Sequence, residues 1–137
     1  MKAIAKILMG CLAGMSVVAC KTTDPAVLDG EWAATEIRGE KIEPSEQTPF
    51  IGFRVAAGEV YGFTGCNRLT GTADFKQMIE GTADFSKLGM TRMMCVDDVY
   101  EQPFMEALNT AKHVKVEADG FVLQNEQGET VARFKKK

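Results

Sequence analysis

Short runs of alternating, β-branched and aromatic residues predict strands in the first half of the chain. The segment Glu31–Ile37 has Trp32 and Ile37 as its large apolar side chains and predicts the first strand. Two further β-rich runs, Phe50–Val55 and Glu59–Phe63, are separated by only three small residues. Strands joined by so short a connection predict a β-hairpin.

A pentapeptide occurs twice, ten residues apart, in the middle of the chain. Gly71–Phe75 and Gly81–Phe85 both read Gly-Thr-Ala-Asp-Phe. Polar and apolar residues alternate in both copies, as they do in half-buried strands, so the copies predict a second hairpin with its turn at Lys76–Met78. Two copies at so short a period do not define a solenoid.

The clearest helix signal follows the second copy. Its apolar side chains recur at helical spacing: Tyr100, Phe104, Ala107, Leu108 and Ala111. The acidic pair Asp97-Asp98 suits a helix N-terminus because carboxylates interact favourably with the backbone dipoles there. Proline is tolerated in a first turn but not in a helix interior, so Pro103 places the helix start near Glu101 or Gln102.

Three alternating runs then predict a closing meander: His113–Val116, Phe121–Gln124 and Thr130–Phe134. Glycine-containing turn segments separate the three runs. The whole pattern predicts a mainly β (α+β) fold, in which about eight strands form a curved antiparallel sheet or partial barrel with one covering helix.

The first twenty residues have the pattern of a bacterial lipoprotein signal. Two lysines precede an apolar stretch, Ile7–Val18, that is too short to span a bilayer. The segment Val17-Val18-Ala19-Cys20 resembles a lipobox, in which the cysteine thiol accepts a lipid. We therefore predict lipidation at Cys20. Lipidation at Cys11 and plain cleavage before Cys20 are the alternatives.

This signal divides the chain into three parts. Residues 1–19 are the predicted signal peptide, residues 20–30 the lipidated N-terminus and linker, and residues 31–137 the folded domain. In lipoproteins an aspartate after the lipidated cysteine commonly signals inner-membrane retention, whereas this chain has Lys21. The expected location is the cell envelope, with a lipid anchor in the outer membrane and the domain facing the periplasm.

Charge and cysteine content refine this picture. The formal net charge is −3, and it becomes about −5 once the two lysines of the signal are removed. An acidic domain argues against nucleic acid, which binds basic surfaces. The terminal run Lys135–Lys137 is either a solvated end or a contact for anionic headgroups.

Two cysteines remain in the predicted domain, Cys66 and Cys95. An oxidising compartment favours a disulfide between them. Their wide separation in sequence favours a structural bond over a catalytic Cys-x-x-Cys pair.

Two segments resemble the META domain family, also called the HslJ-like family. They are Gly65-Cys66-Asn67-Arg68 and Thr91-Arg92-Met93-Met94-Cys95, and the similarity extends over the whole predicted domain. The resemblance implies a compact, mostly β domain, often carried by envelope lipoproteins and associated with heat shock, antibiotic tolerance or secretion. It implies no catalytic activity and no cofactor. The motif residues are expected to be structural or to contact a partner: Gly65, Asn67, Arg68, Thr91, Arg92 and Met93.

Several of these residues have two interpretations. Asn67 is either a turn former or a ligand contact. Arg92 either pairs as a buried fork with Asp97, Asp98 or Glu101, or recognises an anionic partner. The soft side chains of Met90, Met93, Met94 and Cys95 are typical Cu(I) ligands, but core packing and the disulfide explain them more simply.

No residue pattern points to catalysis. The single histidine, His113, has no second histidine, no zinc-type spacing and no serine nucleophile elbow near it. A phosphate-binding glycine loop is also missing from the sequence. We therefore predict no catalytic residues, no metal and no cofactor.

The resulting hypothesis is a non-enzymatic binding or structural module with an envelope protein as its partner. One alternative is a carrier of a lipid or other apolar ligand, in a pocket lined by Phe53, Phe63, Phe75, Phe85 and Phe104, although these rings more simply fill a core. Another is a small inhibitor of an envelope hydrolase, whose basic surface would meet this acidic domain.

Overall fold

A computed structural model describes residues 24–137 and shows nine strands and two α-helices in that range. The strands are β1 (Gly30–Ile37), β2 (Glu40–Lys41), β3 (Phe50–Arg54), β4 (Glu59–Phe63), β5 (Arg68–Thr72), β6 (Leu88–Met90), β7 (His113–Val116), β8 (Gly120–Gln124) and β9 (Thr130–Lys136). The α-helices are α1 (Phe75–Ile79) and α2 (Glu101–Thr110), and short 3-10 helices cover Pro25–Leu28 and Val55–Ala57.

Eight strands form one curled antiparallel sheet in the order β6-β5-β4-β3-β1-β9-β8-β7, and β2 pairs with β1. The first and last long strands are neighbours in the middle of the sheet, where Ala132 lies opposite Ile37 and Lys136 opposite Trp32. Helix α2 packs against β9, β8 and β1. This half-barrel with one substantial helix confirms the predicted fold class.

Aromatic rings connect the two helices through the interior of the sheet. Phe75 of α1 lies 5.1 Å from Phe53, Phe53 lies 5.8 Å from Phe121, and Phe121 stacks on Phe134 at 4.8 Å, all measured between ring centroids. Phe134 in turn lies 6.1 Å from Phe104 of α2. These rings are all buried, and such packing supplies much of the apolar burial that stabilises the domain.

The predicted hairpin over the two pentapeptide copies is wrong. The first copy leaves β5 at Thr72 and enters helix α1, in which Phe75, Met78 and Ile79 are buried. In the second copy Thr82 forms a single bridge to His113, and β5 pairs instead with β4 and β6.

The residues after each copy explain the difference. Asp74 accepts a hydrogen bond from the Gln77 amide at 3.1 Å, so it caps a helix whose next residues have apolar groups at helical spacing. Asp84 accepts instead from the amide of Ser86, two residues on, at 3.0 Å, which is the geometry of a turn. Identical pentapeptides therefore adopt different structures because their continuations differ.

Residues assigned to the linker in the sequence analysis pack on the domain. Leu28 is buried, and the indole nitrogen of Trp32 donates to the Leu28 carbonyl at 2.8 Å. The packed part of the chain therefore includes Pro25–Leu28. The predicted signal peptide, Cys11 and Cys20 lie outside the described residues.

Most of the aromatic side chains considered for a ligand pocket belong to the core. Phe53, Phe75, Phe85 and Phe104 are buried, and Phe63 is half-buried with its ring 6.4 Å from Phe50. Within residues 24–137, no helix is long and apolar enough to cross a bilayer.

Candidate functional site

The two motif segments meet at one end of the half-barrel. Pairing of β5 with β6 brings them together, and the Thr91 amide donates to the Arg68 carbonyl at 3.1 Å. Cys66 and Cys95 form a disulfide whose Cα atoms are 5.8 Å apart. A covalent link therefore connects the segment before β5 to the loop after β6.

Asn67 lies at the centre of this contact, with only 1 % of its surface exposed. Its side-chain oxygen accepts from the Thr91 hydroxyl at 2.8 Å and from the Met93 amide at 2.7 Å. Its side-chain nitrogen donates to the Met93 carbonyl at 3.1 Å and to Glu101 Oε1 at 2.8 Å. All four bonding positions of the amide are occupied, so Asn67 joins structural elements and is not free to hold a ligand.

Thr64 and Glu101 complete the network. The buried Thr64 hydroxyl donates to Glu101 Oε1 at 2.6 Å and accepts from the amides of Cys66 and Asn67 at 3.1 and 2.8 Å. Glu101 therefore connects helix α2 to the segment before β5. We call Thr64, Asn67, Thr91, Met93 and Glu101 the clamp.

The clamp also determines the charge state of Glu101. Burial opposes ionisation of its carboxyl group, but hydrogen bonds from Thr64 and Asn67 and the positive charge of Arg92 outweigh that effect. The pKa of Glu101 therefore lies below its ordinary value of 4.5. The carboxylate is consequently ionised at neutral pH and strengthens the bonds that it accepts.

Gly65 allows helix α2 to approach the motif. Its φ is +104°, and a Cβ atom there would lie 3.1 Å from both Asp98 Oδ1 and Tyr100 Cβ. Asp98 accepts from the amides of Tyr100 and Glu101 at 3.0 and 3.1 Å, so it satisfies backbone donors just before and at the start of the helix. The helix begins at Glu101, which confirms the predicted start.

The prediction of Arg92 as a buried fork is wrong. Its side chain is exposed and forms no ion pair with any residue in the described range, although its charge acts on Glu101 through space. Two of the carboxylates considered as its partners have other donors: Thr64 and Asn67 bond to Oε1 of Glu101, and Asp98 accepts from the Glu101 amide. Arg68 is also exposed, and its backbone provides its contact with Thr91.

An exposed apolar surface lies beside the clamp. We call residues Thr91–Val99 the tip loop, and its exposed apolar side chains the tip patch: Met93, Met94, Val96 and Val99, with exposed fractions of 60 %, 96 %, 95 % and 68 %. Six large apolar side chains are exposed among residues 24–137, and four of them belong to this one loop. Several exposed apolar side chains in one loop make that loop a candidate interaction surface, whereas single exposed apolar residues need no explanation.

The same geometry bears on metal binding. Cys95 is bonded to Cys66, so it offers no thiolate to a soft metal, and His113 is exposed on β7. In the part of the chain that the structure describes, no three His, Cys, Asp or Glu side chains are grouped as metal ligands.

Sequence reasoning missed two parts of this site. Thr64 belongs to no motif that the sequence singles out. Methionine is a common core filler, so the sequence favours core packing for Met93 and Met94, whereas the structure exposes both.

We predict that Asn67→Asp destabilises the protein at neutral pH by at least about 3 kcal/mol, because a carboxylate oxygen then faces Glu101 and the Met93 carbonyl. Burial and Glu101 raise the pKa of the new carboxyl group above its unfolded value. The loss is therefore smaller below about pH 4, where the protonated acid replaces one of the two lost donors, and it grows as pH rises. Urea unfolding from pH 4 to pH 7 measures it.

The matched control is Asn125→Asp. The Asn125 amide also donates to a glutamate, Glu129, at 2.8 Å, but this pair is exposed. Its replacement should cost no more than about 1 kcal/mol. Equal losses of stability for the two variants would show that the buried network around Asn67 stabilises the protein no more than the exposed pair does.

We further predict that Glu101→Gln lowers stability at pH 7 and that the deficit shrinks in acid. Because the folded pKa of Glu101 lies below 4.5, its stabilising effect is present above that pH and is lost as pH falls through the folded pKa. Urea midpoints between pH 3 and pH 7 test this. Glu106→Gln, on the same helix and in a surface ion pair with Arg38, is the control and should stay near wild type. A Glu101→Gln deficit that is constant across the range contradicts the assignment.

Comparisons with known proteins agree with this architecture. A protein structure solved by NMR is similar to this chain with a TM-score of 0.55 and 22 % sequence identity, over 83 % of this chain and 95 % of that one. That likeness concerns the fold alone. No curated protein matches the chain. A profile of the META domain family matches residues 25–137, which contain both motif segments, the clamp and the tip loop. The chain therefore belongs to the META domain family.

Proposed function

We propose that this protein is a lipid-anchored, non-enzymatic module of the bacterial envelope that docks on a protein partner through the tip patch. The observation that carries the proposal is a group of exposed apolar side chains on a loop that is attached at Met93 by two backbone hydrogen bonds and at Cys95 by the disulfide. Exposed apolar groups are favoured to leave water when a complementary protein surface covers them.

The clamp explains why such a loop does not fold back onto the domain. Asn67 holds both the amide and the carbonyl of Met93, and the disulfide holds Cys95 two residues later. Preorganised backbone reduces the entropy lost on binding, and methionine side chains adapt to different apolar surfaces. These properties suit a docking loop.

The position of the loop supports a protein partner over a membrane. One end of the β3–β4 hairpin, where Arg54 lies opposite Glu59, is close to the start of the domain. There the Val55 amide donates to Asp29 at 2.9 Å. At the other end of the same hairpin, Phe50 lies opposite Phe63. The chain continues from Phe63 to Cys66, whose disulfide with Cys95 places the tip loop at this end. A four-residue step along a strand is about 13 Å.

A lipid on Cys20 would hold the N-terminal end of the domain near the membrane. Five residue steps separate Cys20 from Pro25, and they span at most about 17 Å. The tip patch lies at the end of the domain opposite this attachment point. A protein that faces the periplasm can reach it there.

The carrier hypothesis receives less support. Four of the five rings considered as pocket lining are packed against other core residues. A surface cavity of about 670 Å³ is lined mainly by polar residues such as Thr72, Asp74, Lys76, Asp84 and Lys87. Inhibition of an envelope hydrolase would be one form of protein docking, and assays of purified hydrolases with the added domain would reveal it.

Photocrosslinking in intact cells tests the docking surface. With p-benzoylphenylalanine in place of Val96, we expect a discrete adduct whose mass differs from both monomer and dimer. The control places the same group at Val116, an exposed valine on edge strand β7. Met94→Asp should lower the adduct yield about tenfold, because it inserts a charge into an apolar contact. Equal adducts from both positions, or lipid adducts from position 96, contradict protein docking at the tip.

Metabolic labelling with a palmitate analogue tests the lipid anchor. We expect labelled protein in the membrane fraction of wild type and of Cys11→Ala, and unlabelled protein for Cys20→Ala. The Cys11→Ala variant separates the two candidate lipid acceptors. Labelling that survives Cys20→Ala would overturn the assignment.

A further inference from the structure

We propose that Met93 and Met94 form an oxidation site, at which peroxide converts the thioethers to sulfoxides and so turns the tip patch from apolar to polar without unfolding the domain. The proposed effect on docking rests on the proposed function. The site itself rests on exposure and on the clamp.

The five methionines among residues 24–137 differ sharply in exposure. Met94 is 96 % exposed and Met93 60 %, whereas Met78 is 2 % exposed in the core. Met90 and Met105 are half-buried against the core. An oxidant must contact the sulfur atom, so the rate of oxidation follows this order.

The disulfide leaves the thioethers as the oxidisable sulfur groups at the tip. Thiolates usually react with peroxide first, but Cys66 and Cys95 are already joined in a bond. Their neighbour Met94 lies next to Cys95 in sequence and points into solvent. Peroxide that reaches this end of the domain therefore meets methionine sulfur.

The reaction is a balanced oxygen transfer. A lone pair on the methionine sulfur attacks one peroxide oxygen, the O–O bond breaks, and an S–O bond forms. The sulfur loses two electrons, and the departing hydroxide takes the proton of the transferred oxygen and leaves as water. A dithiol-dependent sulfoxide reductase reverses the change, because it returns two electrons and removes the oxygen as water.

The clamp separates this surface change from the stability of the fold. The amide and carbonyl of Met93 bond to Asn67, and the Met93 side chain takes no part in those bonds. Met94 has almost no packing contact to lose at 96 % exposure. Sulfoxide formation therefore changes the polarity of the patch while Asn67, Glu101 and the disulfide stay in place.

Peptide mass mapping after graded peroxide treatment tests the site. The probe is hydrogen peroxide, and the sample is the full-length protein purified in detergent. We expect Met94 and Met93 to gain oxygen at least about tenfold faster than Met78, with Met90 and Met105 between them. Oxidation of Met78 at the same rate as Met94 would overturn the proposal.

Two further measurements use Met93→Leu/Met94→Leu as the matched control, since leucine conserves the apolar volume and resists oxidation. Oxidised wild type should elute earlier from a hydrophobic column while its urea midpoint is unchanged. The double variant should keep both its elution position and its urea midpoint after peroxide. A lowered urea midpoint in oxidised wild type would show that oxidation unfolds the tip, which contradicts the proposal.

The docking consequence is read from the crosslink at position 96. Each protein is compared with its own untreated sample: peroxide should abolish the adduct of wild type and should not change the adduct yield of the double leucine variant, whatever that yield is before treatment. If no adduct forms even before oxidation, the proposed function fails, while mass mapping and elution still decide the oxidation site. If the adduct survives complete oxidation of Met93 and Met94, the switch is refuted and docking is not.

Discussion

The side-chain amide of Asn67 holds together three parts of the chain that are distant in sequence. With two bonds to Met93, one to Thr91 and one to Glu101, it joins the segment before β5, the loop after β6 and the start of α2. A buried amide group left without one of its hydrogen bonds would lower the free energy of unfolding by about as much as several surface contacts raise it. Polar groups can therefore lie inside this end of the half-barrel because all the side-chain hydrogen bonds of Asn67 are formed.

The clamp and the aromatic core have complementary roles. The rings from Phe75 to Phe104 bury apolar surface without strict directional demands, so they stabilise the half-barrel as a whole. The clamp is directional, and it determines the path of one loop. Because the path of that loop is held by backbone bonds and the disulfide, the tip-patch side chains need not pack inward. The domain can therefore present apolar groups to a partner, and chemistry on those groups can alter binding while the fold persists.

The charge of Glu101 shows how closely the clamp depends on its neighbours. Three bonds from Thr64 and Asn67 satisfy one oxygen of a half-buried carboxylate, and Asp98 accepts a hydrogen bond from the Glu101 amide. Gly65 makes room for this helix end, with a positive φ that other residues rarely adopt. The short motif around Cys66 thus acts as a helix-docking element, in which Gly65 meets a steric demand and Asn67 a hydrogen-bonding demand.

The sequence by itself determined the elements whose signals are local. Alternation predicted β1, the β3–β4 hairpin and the closing meander, and apolar spacing with Asp98 predicted the start of α2. Only the tertiary structure decided between a strand and a helix at the first pentapeptide. Its alternation, which Gly81–Phe85 shares, favours a strand, whereas Asp74 and the buried side chains after it favour a helix. The tertiary structure also decided that Arg92 and the tip-patch methionines are exposed. Exposure depends on which groups already occupy the bonding positions of Glu101 and Asn67, and those groups come from segments far apart in the chain.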